Sequence, residues 1–235
     1  MSRELRLYIL LSLAGLLFLF LLYLYTPQTT NPYKLVFIII FVLICFMGII
    51  AAIYPIQCMS FKEEKYTKSI CKNNTLNKNN ETEYRFKNRI LKIEGHHPDC
   101  GEFQDHIYTF YNKKLCVGCS GLLIGSVMAI FTVMSYIIYG TSSGLGSIGG
   151  FIFYLGVAVT SAALLLLIFL SLKIKLVRFI SNLSLVWGSS LVLIGLLEYR
   201  NIFLSIYFLF LVLVWIMTRS AVSRRNHQMI CQSCI

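Results

Sequence analysis

The chain has 235 residues, 57% of them hydrophobic and 13% charged, with a mean hydropathy of +0.72 and a formal net charge of +11. A soluble domain carries about a quarter charged residues, so an ordinary water-soluble globular protein is excluded, as are collagen, a disordered chain and a disulfide miniprotein. In a membrane protein the basic excess first reports orientation, and no nucleic-acid partner is expected.

A helix crossing the ~30 Å hydrocarbon core needs about 20 mostly apolar residues. Six stretches meet that measure, at 7–25, 33–54, 121–139, 149–172, 176–197 and 202–218. The expected fold class is therefore all-α: a polytopic membrane protein with about six transmembrane helices, plus a small cytoplasmic Cys/His metal-binding segment. Arg3 and Arg6 precede the first span as in a signal peptide. Its apolar run of about 18 residues is longer than a signal core, and no small-x-small site follows, so it reads as an uncleaved anchor.

Lys and Arg sort by side. Arg3 and Arg6, then Lys173, Lys175 and Arg178, then Arg219, Arg224 and Arg225 flank the spans on one side, against Lys34 and Arg200 on the other. The positive-inside rule then places both termini and the long loop in the cytoplasm of a cell-membrane protein. The sequons at Asn73 and Asn80 would gain meaning only in the opposite orientation. Tyr25, Tyr33, Tyr54, Tyr139 and Tyr199 fall at span ends, where an amphipathic ring suits the headgroup region. Gly121 and Gly125, with Gly149, Gly150, Gly156, Gly188 and Gly195, suit close helix approach. Asn182 lies one turn from Arg178 on the same helix face, which suits interhelical packing or a headgroup, and Glu198 beside Arg200 suggests an interfacial ion pair.

The organisation expected is two transmembrane helices in 1–56, a flexible Asn/Lys-rich cytoplasmic insert in 57–89, a Cys/His-rich zinc segment in 90–120, four transmembrane helices in 121–218 and a cytoplasmic tail in 219–235. The insert is built of Lys, Glu, Asn and Thr and cannot bury enough apolar surface to offset its ordering entropy.

All four His and five of the eight Cys lie in two short segments of the cytoplasmic side. His96, His97, Cys100, His106, Cys116 and Cys119 precede the third span, and His227, Cys231 and Cys234 follow the sixth. Thiolate and imidazole ligands in Cys-x-x-Cys spacing are the usual means of holding tetrahedral Zn²⁺, and a reducing cytoplasm disfavours disulfides. One zinc is expected on Cys100, His106, Cys116 and Cys119. His227, Cys231 and Cys234 either complete a second ion with His96 or His97 or replace weaker ligands of the first. An extended tail from Thr218 to His227 reaches up to ~30 Å, enough for a clasp onto the third span. Asp99, Glu102 and Asp105 are available to orient imidazoles or to serve as a general base. Cys45, Cys58 and Cys71 have no companion at useful spacing.

The run Leu115–Cys116–Val117–Gly118–Cys119–Ser120–Gly121–Leu122, with His97–Pro98–Asp99–Cys100, Phe103 and His106 upstream, resembles a poorly characterised family of prokaryotic, often archaeal, multi-pass membrane proteins. In that family an H-P-x-C segment precedes a C-x-x-C-[ST]-G motif that runs directly into a transmembrane helix. The resemblance covers about 30 residues closely and implies a membrane protein with a Cys/His site and no assigned reaction. The Asn/Lys insert and the tail Cys pair have no counterpart in the pattern.

Three function classes remain. A closed Cys/His shell makes a structural zinc module that ties the loop to the tail and serves binding, scaffolding or assembly with a membrane-protein partner or a second copy. An open metal position or reactive dithiol would make an enzyme acting on a lipid or headgroup, though no HExxH, Walker or Gly-x-Ser-x-Gly motif is present. A transporter would need ionisable groups within the spans, and Arg178 and Glu198 at span ends are the nearest.

Overall fold

Thr26 and Pro27 show how the first helix is ended. The Thr26 N–H and Oγ1 both reach the Leu22 carbonyl, at 2.9 and 2.6 Å, and Pro27 cannot continue the helical ladder. This helix, α1, spans Arg3–Tyr25 and is apolar on all sides, as lipid immersion requires. A computed structural model of the chain describes residues 3–27, 32–53, 107–110, 113–140, 148–169, 174–199 and 202–233, with backbone alone at 109, 110, 113, 114, 199 and 227–233.

In chain order the elements are α1, α2 (Lys34–Ile53), β1 (Ile107–Phe110), β2 (Lys113–Cys116), α3 (Val117–Ser135), α4 (Ile148–Phe169), α5 (Lys175–Tyr199) and α6 (Ile202–Ser233). A π-helical turn at Tyr136–Gly140 extends α3. The described residues are almost entirely helical, and among them six helices are long and apolar enough to cross a membrane. Large exposed hydrophobics such as Phe18, Met47, Phe131, Phe151 and Phe210 clothe their outer faces, as contact with lipid tails demands.

Contacts between named residues fix how the helices run. Ser12 of α1 hydrogen-bonds Thr218 of α6 at 2.6 Å, while Tyr207, a few turns earlier on α6, donates to the Gly15 carbonyl. α1 and α6 are therefore antiparallel. On α3, Gly121 lies against Phe179, Gly125 against Leu183 and Thr132 against Trp187, so α3 and α5 run parallel. On α4, Thr160 faces Gly188 and Phe153 faces Gly195, so α4 is antiparallel to α5. Gly48 meets Ser126, and Lys34 reaches Glu198, which sets α2 antiparallel to α3 and α5. Together these relations place the N-termini of α1, α3 and α5 and the C-termini of α2, α4 and α6 on one side.

The bundle is organised around α5. In its spanning window 72% of residues are buried, against 22% for α1 and α2, so α5 is the central post and those two are largely lipid-facing. Backbone-to-backbone approach on both flanks of α5 makes this possible. A Cβ at Gly125 would lie 2.8 Å from the Leu183 carbonyl oxygen, and one at Gly156 would lie 2.6 Å from the Val192 nitrogen. Between lipid-like surfaces the packing itself is the driving force, and small residues maximise it. Phe153 stacks on Tyr23 with ring centroids 3.6 Å apart, and Trp215, Phe41 and Phe208 complete the core.

Two expectations are revised. The β1–β2 hairpin adds a small antiparallel sheet to an otherwise all-α chain. α6 does not stop at Thr218 but remains helical to Ser233, where an extended tail was expected. Glu198 pairs with Lys34 across to α2, and the expected pair with Arg200 lies outside the described residues.

Candidate functional site

The hairpin feeds straight into a membrane span. Ile107 pairs with Cys116, Tyr108 with Leu115, Thr109 with Lys114 and Phe110 with Lys113. Cys116 ends β2 and is also the N-cap of α3, with extended backbone (φ −72°, ψ 124°). Its side chain makes no capping hydrogen bond. Ser120 supplies a tie instead: its hydroxyl donates to the Cys116 carbonyl at 2.9 Å and accepts from the Tyr108 hydroxyl at 3.0 Å. The strand-to-helix junction is thus braced from β1.

Cys119 stands in the first turn of α3, one turn after Cys116, and both are half-buried. Gly118 between them lies against α5. A Cβ there would be 3.7 Å from Asn182 Nδ2 and 3.8 Å from Arg178 Cδ, so these two side chains floor the Cys-x-x-Cys turn. Asn182 is 3% exposed and Arg178 7%, both deep for polar side chains at the end of a membrane helix.

A third polar residue closes the cradle. Arg219 on α6 donates its Nε–H to Asn182 Oδ1 and a terminal N–H to the Gly118 carbonyl at 3.4 Å. Asn182 Nδ2 in turn donates to the Arg178 carbonyl at 2.6 Å. Both ends of the amide therefore have the partner they require. The N-terminal end of the α3 dipole presents positive potential to this turn. Such an environment suits sulfur ligands, which carry negative charge when they hold a metal.

Of the expected ligands, only Cys116 and Cys119 have described side chains. His227 and Cys231 lie one turn apart on the α6 backbone. His97, Cys100, His106 and Cys234 lie outside the described residues, as do His96, Asp99, Glu102 and Asp105. Among the described residues no group of three or more His, Cys, Asp or Glu is gathered to hold a metal ion. Cys45, without a companion in the sequence, is buried within α2.

The pairing of Arg178 with Asn182 was legible from their spacing on one helix face. Arg219 was not, because its approach depends on how α6 docks against α5. On the opposite side of the bundle, Glu198 is 8% exposed, accepts from Lys34 Nζ at 3.2 Å and accepts from the Tyr136 hydroxyl. It joins α2, α3 and α5 far from the cysteines. The chain matches no protein-family model, no curated protein and no solved structure.

Proposed function

We propose that this is a multi-pass protein of the cell membrane whose termini and hairpin face the cytoplasm, and whose Cys116–Cys119 turn anchors a structural zinc site. In this reading the site organises the segment before α3 and the extension of α6 into a docking surface for a membrane-protein partner or a second copy. The orientation rests on charge. Arg3, Arg6, Lys175, Arg178, Arg219, Arg224 and Arg225 all belong to the helix ends of the hairpin side, as the positive-inside rule demands of a cytoplasmic face.

The observation that carries the metal reading is the register Ile107↔Cys116. His106 directly precedes β1 in the sequence, and β1 is the strand that pairs with β2 and braces the Cys116 turn through Tyr108. The turn at the end of the hairpin supplies two ligands, and the sequence offers His106 and Cys100 upstream for the other two. The helical course of α6 favours a separate second ion for His227, Cys231 and Cys234 with His97. Cys231 lies about 18 Å along the helix axis from Arg219, which itself contacts the Gly118 carbonyl.

Elemental analysis of the detergent-purified protein tests the reading. One or two zinc ions per chain are expected, with at least one lost in Cys116→Ser/Cys119→Ser. A metal-free native protein overturns it. A second reading, a dithiol or metal-dependent enzyme acting on a lipid headgroup, draws on the placement of the cysteine pair at a helix N-terminus beside two arginines. An open water-bearing metal position, or rapid oxidation and reduction of the Cys116–Cys119 pair, would favour that alternative.

A further inference from the structure

The two cysteines of the turn sit on α3, but the groups that hold the turn from below come from two other helices. Asn182 and Arg178 on α5 pack against Gly118, and Arg219 on α6 is bonded both to Asn182 and to the Gly118 carbonyl. Gly118 is the backbone link between Cys116 and Cys119, so any shift of its peptide changes the separation and aim of both sulfurs. Metal-ligating groups depend on such supporting contacts for their orientation.

We infer that Arg219 and Asn182 are positioning residues for the Cys116–Cys119 turn, and that through them the seating of α6 governs how firmly the turn holds its metal. The inference rests on the zinc reading for the identity of the ligand, but the positioning itself does not. Arg219 ties α6 to the bundle at the point where Val222 also packs against Leu5 and Leu167, and the helix continues to Ser233. Its bonds to Asn182 and Gly118 make one mechanical unit of the α6 extension and the cysteine turn. A partner that pulls on that extension would loosen the site, and a loaded site would hold the extension in place.

The test uses full-length protein in detergent, with Arg219→Gln, Arg219→Lys and Asn182→Leu, and with Lys34→Met as a control on the opposite side of the bundle. Two quantities are read: retention of zinc against increasing EDTA, and the rate at which a maleimide modifies Cys116 and Cys119 in metal-stripped protein, resolved by peptide mass spectrometry. Arg219→Gln and Asn182→Leu are expected to weaken zinc retention by about tenfold to a hundredfold. They are also expected to accelerate modification of the two cysteines, while Lys34→Met changes neither. Arg219→Lys, which keeps the charge but not the planar fork, is expected to fall between the wild type and Arg219→Gln. Should Arg219→Gln fail to give monodisperse protein, Arg219→Lys decides on the same two readouts. Wild-type retention and wild-type modification rates in the Arg219 and Asn182 variants overturn the inference. Native protein without zinc overturns the metal reading alone, and the modification rates then still decide whether these residues position the turn.

Discussion

Arg219 at the emerging end of α6 donates to Asn182 on α5, and the other end of the same amide donates to the Arg178 carbonyl. A single side chain thereby satisfies a cation from one helix and a carbonyl from its own, directly beneath Gly118. Neutral interhelical hydrogen bonds in membranes average about 0.6 kcal/mol, whereas bonds to charged groups reach about 1.5–3 kcal/mol. Asn182→Ala should therefore destabilise the bundle by about 2 kcal/mol, toward the charged end of that range, as measured by reversible unfolding in detergent. A loss below about 0.5 kcal/mol would show that Arg219 finds an equivalent partner elsewhere.

The seam between α3 and α5 allows a sharper comparison. Gly125→Val places methyl groups where the Leu183 backbone already stands, 2.8 Å from the site of the Cβ. Because backbone cannot swing aside, a loss of about 3 kcal/mol or failure to fold is expected. Gly150→Ala, whose Cβ would lie 3.6 Å from the Tyr23 hydroxyl, should be neutral or mildly stabilising. Thermal unfolding of the two variants side by side checks the contrast.

The Glu198 side chain is 8% exposed and that of Lys34 35%, so the two ends of this ion pair should respond unequally. Lys34→Met should cost less than about 1 kcal/mol, as exposed partners generally do. Glu198→Ala strands the Tyr136 hydroxyl as well as Lys34 and should cost about 1–3 kcal/mol. Glu198→Gln, which still accepts from Tyr136, should fall between them.

The Ser12–Thr218 bond joins α1 to α6 in the bundle interior, and Thr218 Oγ1 also lies within bonding distance of the Val214 and Tyr8 carbonyls, at 2.9 and 3.2 Å. Because Thr218 keeps other partners, a double-mutant cycle with Ser12→Ala and Thr218→Val should return a coupling of about 0.6 kcal/mol and no more than about 1.7. A larger value would mean that the hydroxyl pair, and not the surrounding close contact, holds α1 in place.

Sidedness is open to direct chemistry. In a cysteine-free background in intact cells, Tyr33→Cys should react with a membrane-impermeant maleimide, and Ser223→Cys should react only after the membrane is breached. The reverse pattern would overturn the cytoplasmic assignment of the hairpin and the α6 extension.

Much of the architecture was legible in the amino-acid order because the bilayer imposes a local rule. A span must be apolar for about 20 residues and must satisfy its own backbone, so six spans, their approximate ends and the asymmetry of Arg and Lys could be read without any tertiary contact. The spacing Cys116-x-x-Cys119 was equally local, and so was the shared helix face of Arg178 and Asn182. The hairpin was less visible, since two four-residue strands rich in Lys and aromatics carry little alternation. What only the tertiary structure decided is which faces meet. Lipid tails are as apolar as leucine, so hydropathy cannot tell a lipid-facing side from a buried one. That α3 runs parallel to α5, that Lys34 reaches Glu198, and that Arg219 crosses to Asn182 and Gly118 follow from close backbone approach around α5. Such approach depends on the rotation and pairing of helices distant in sequence, which no window of residues encodes by itself.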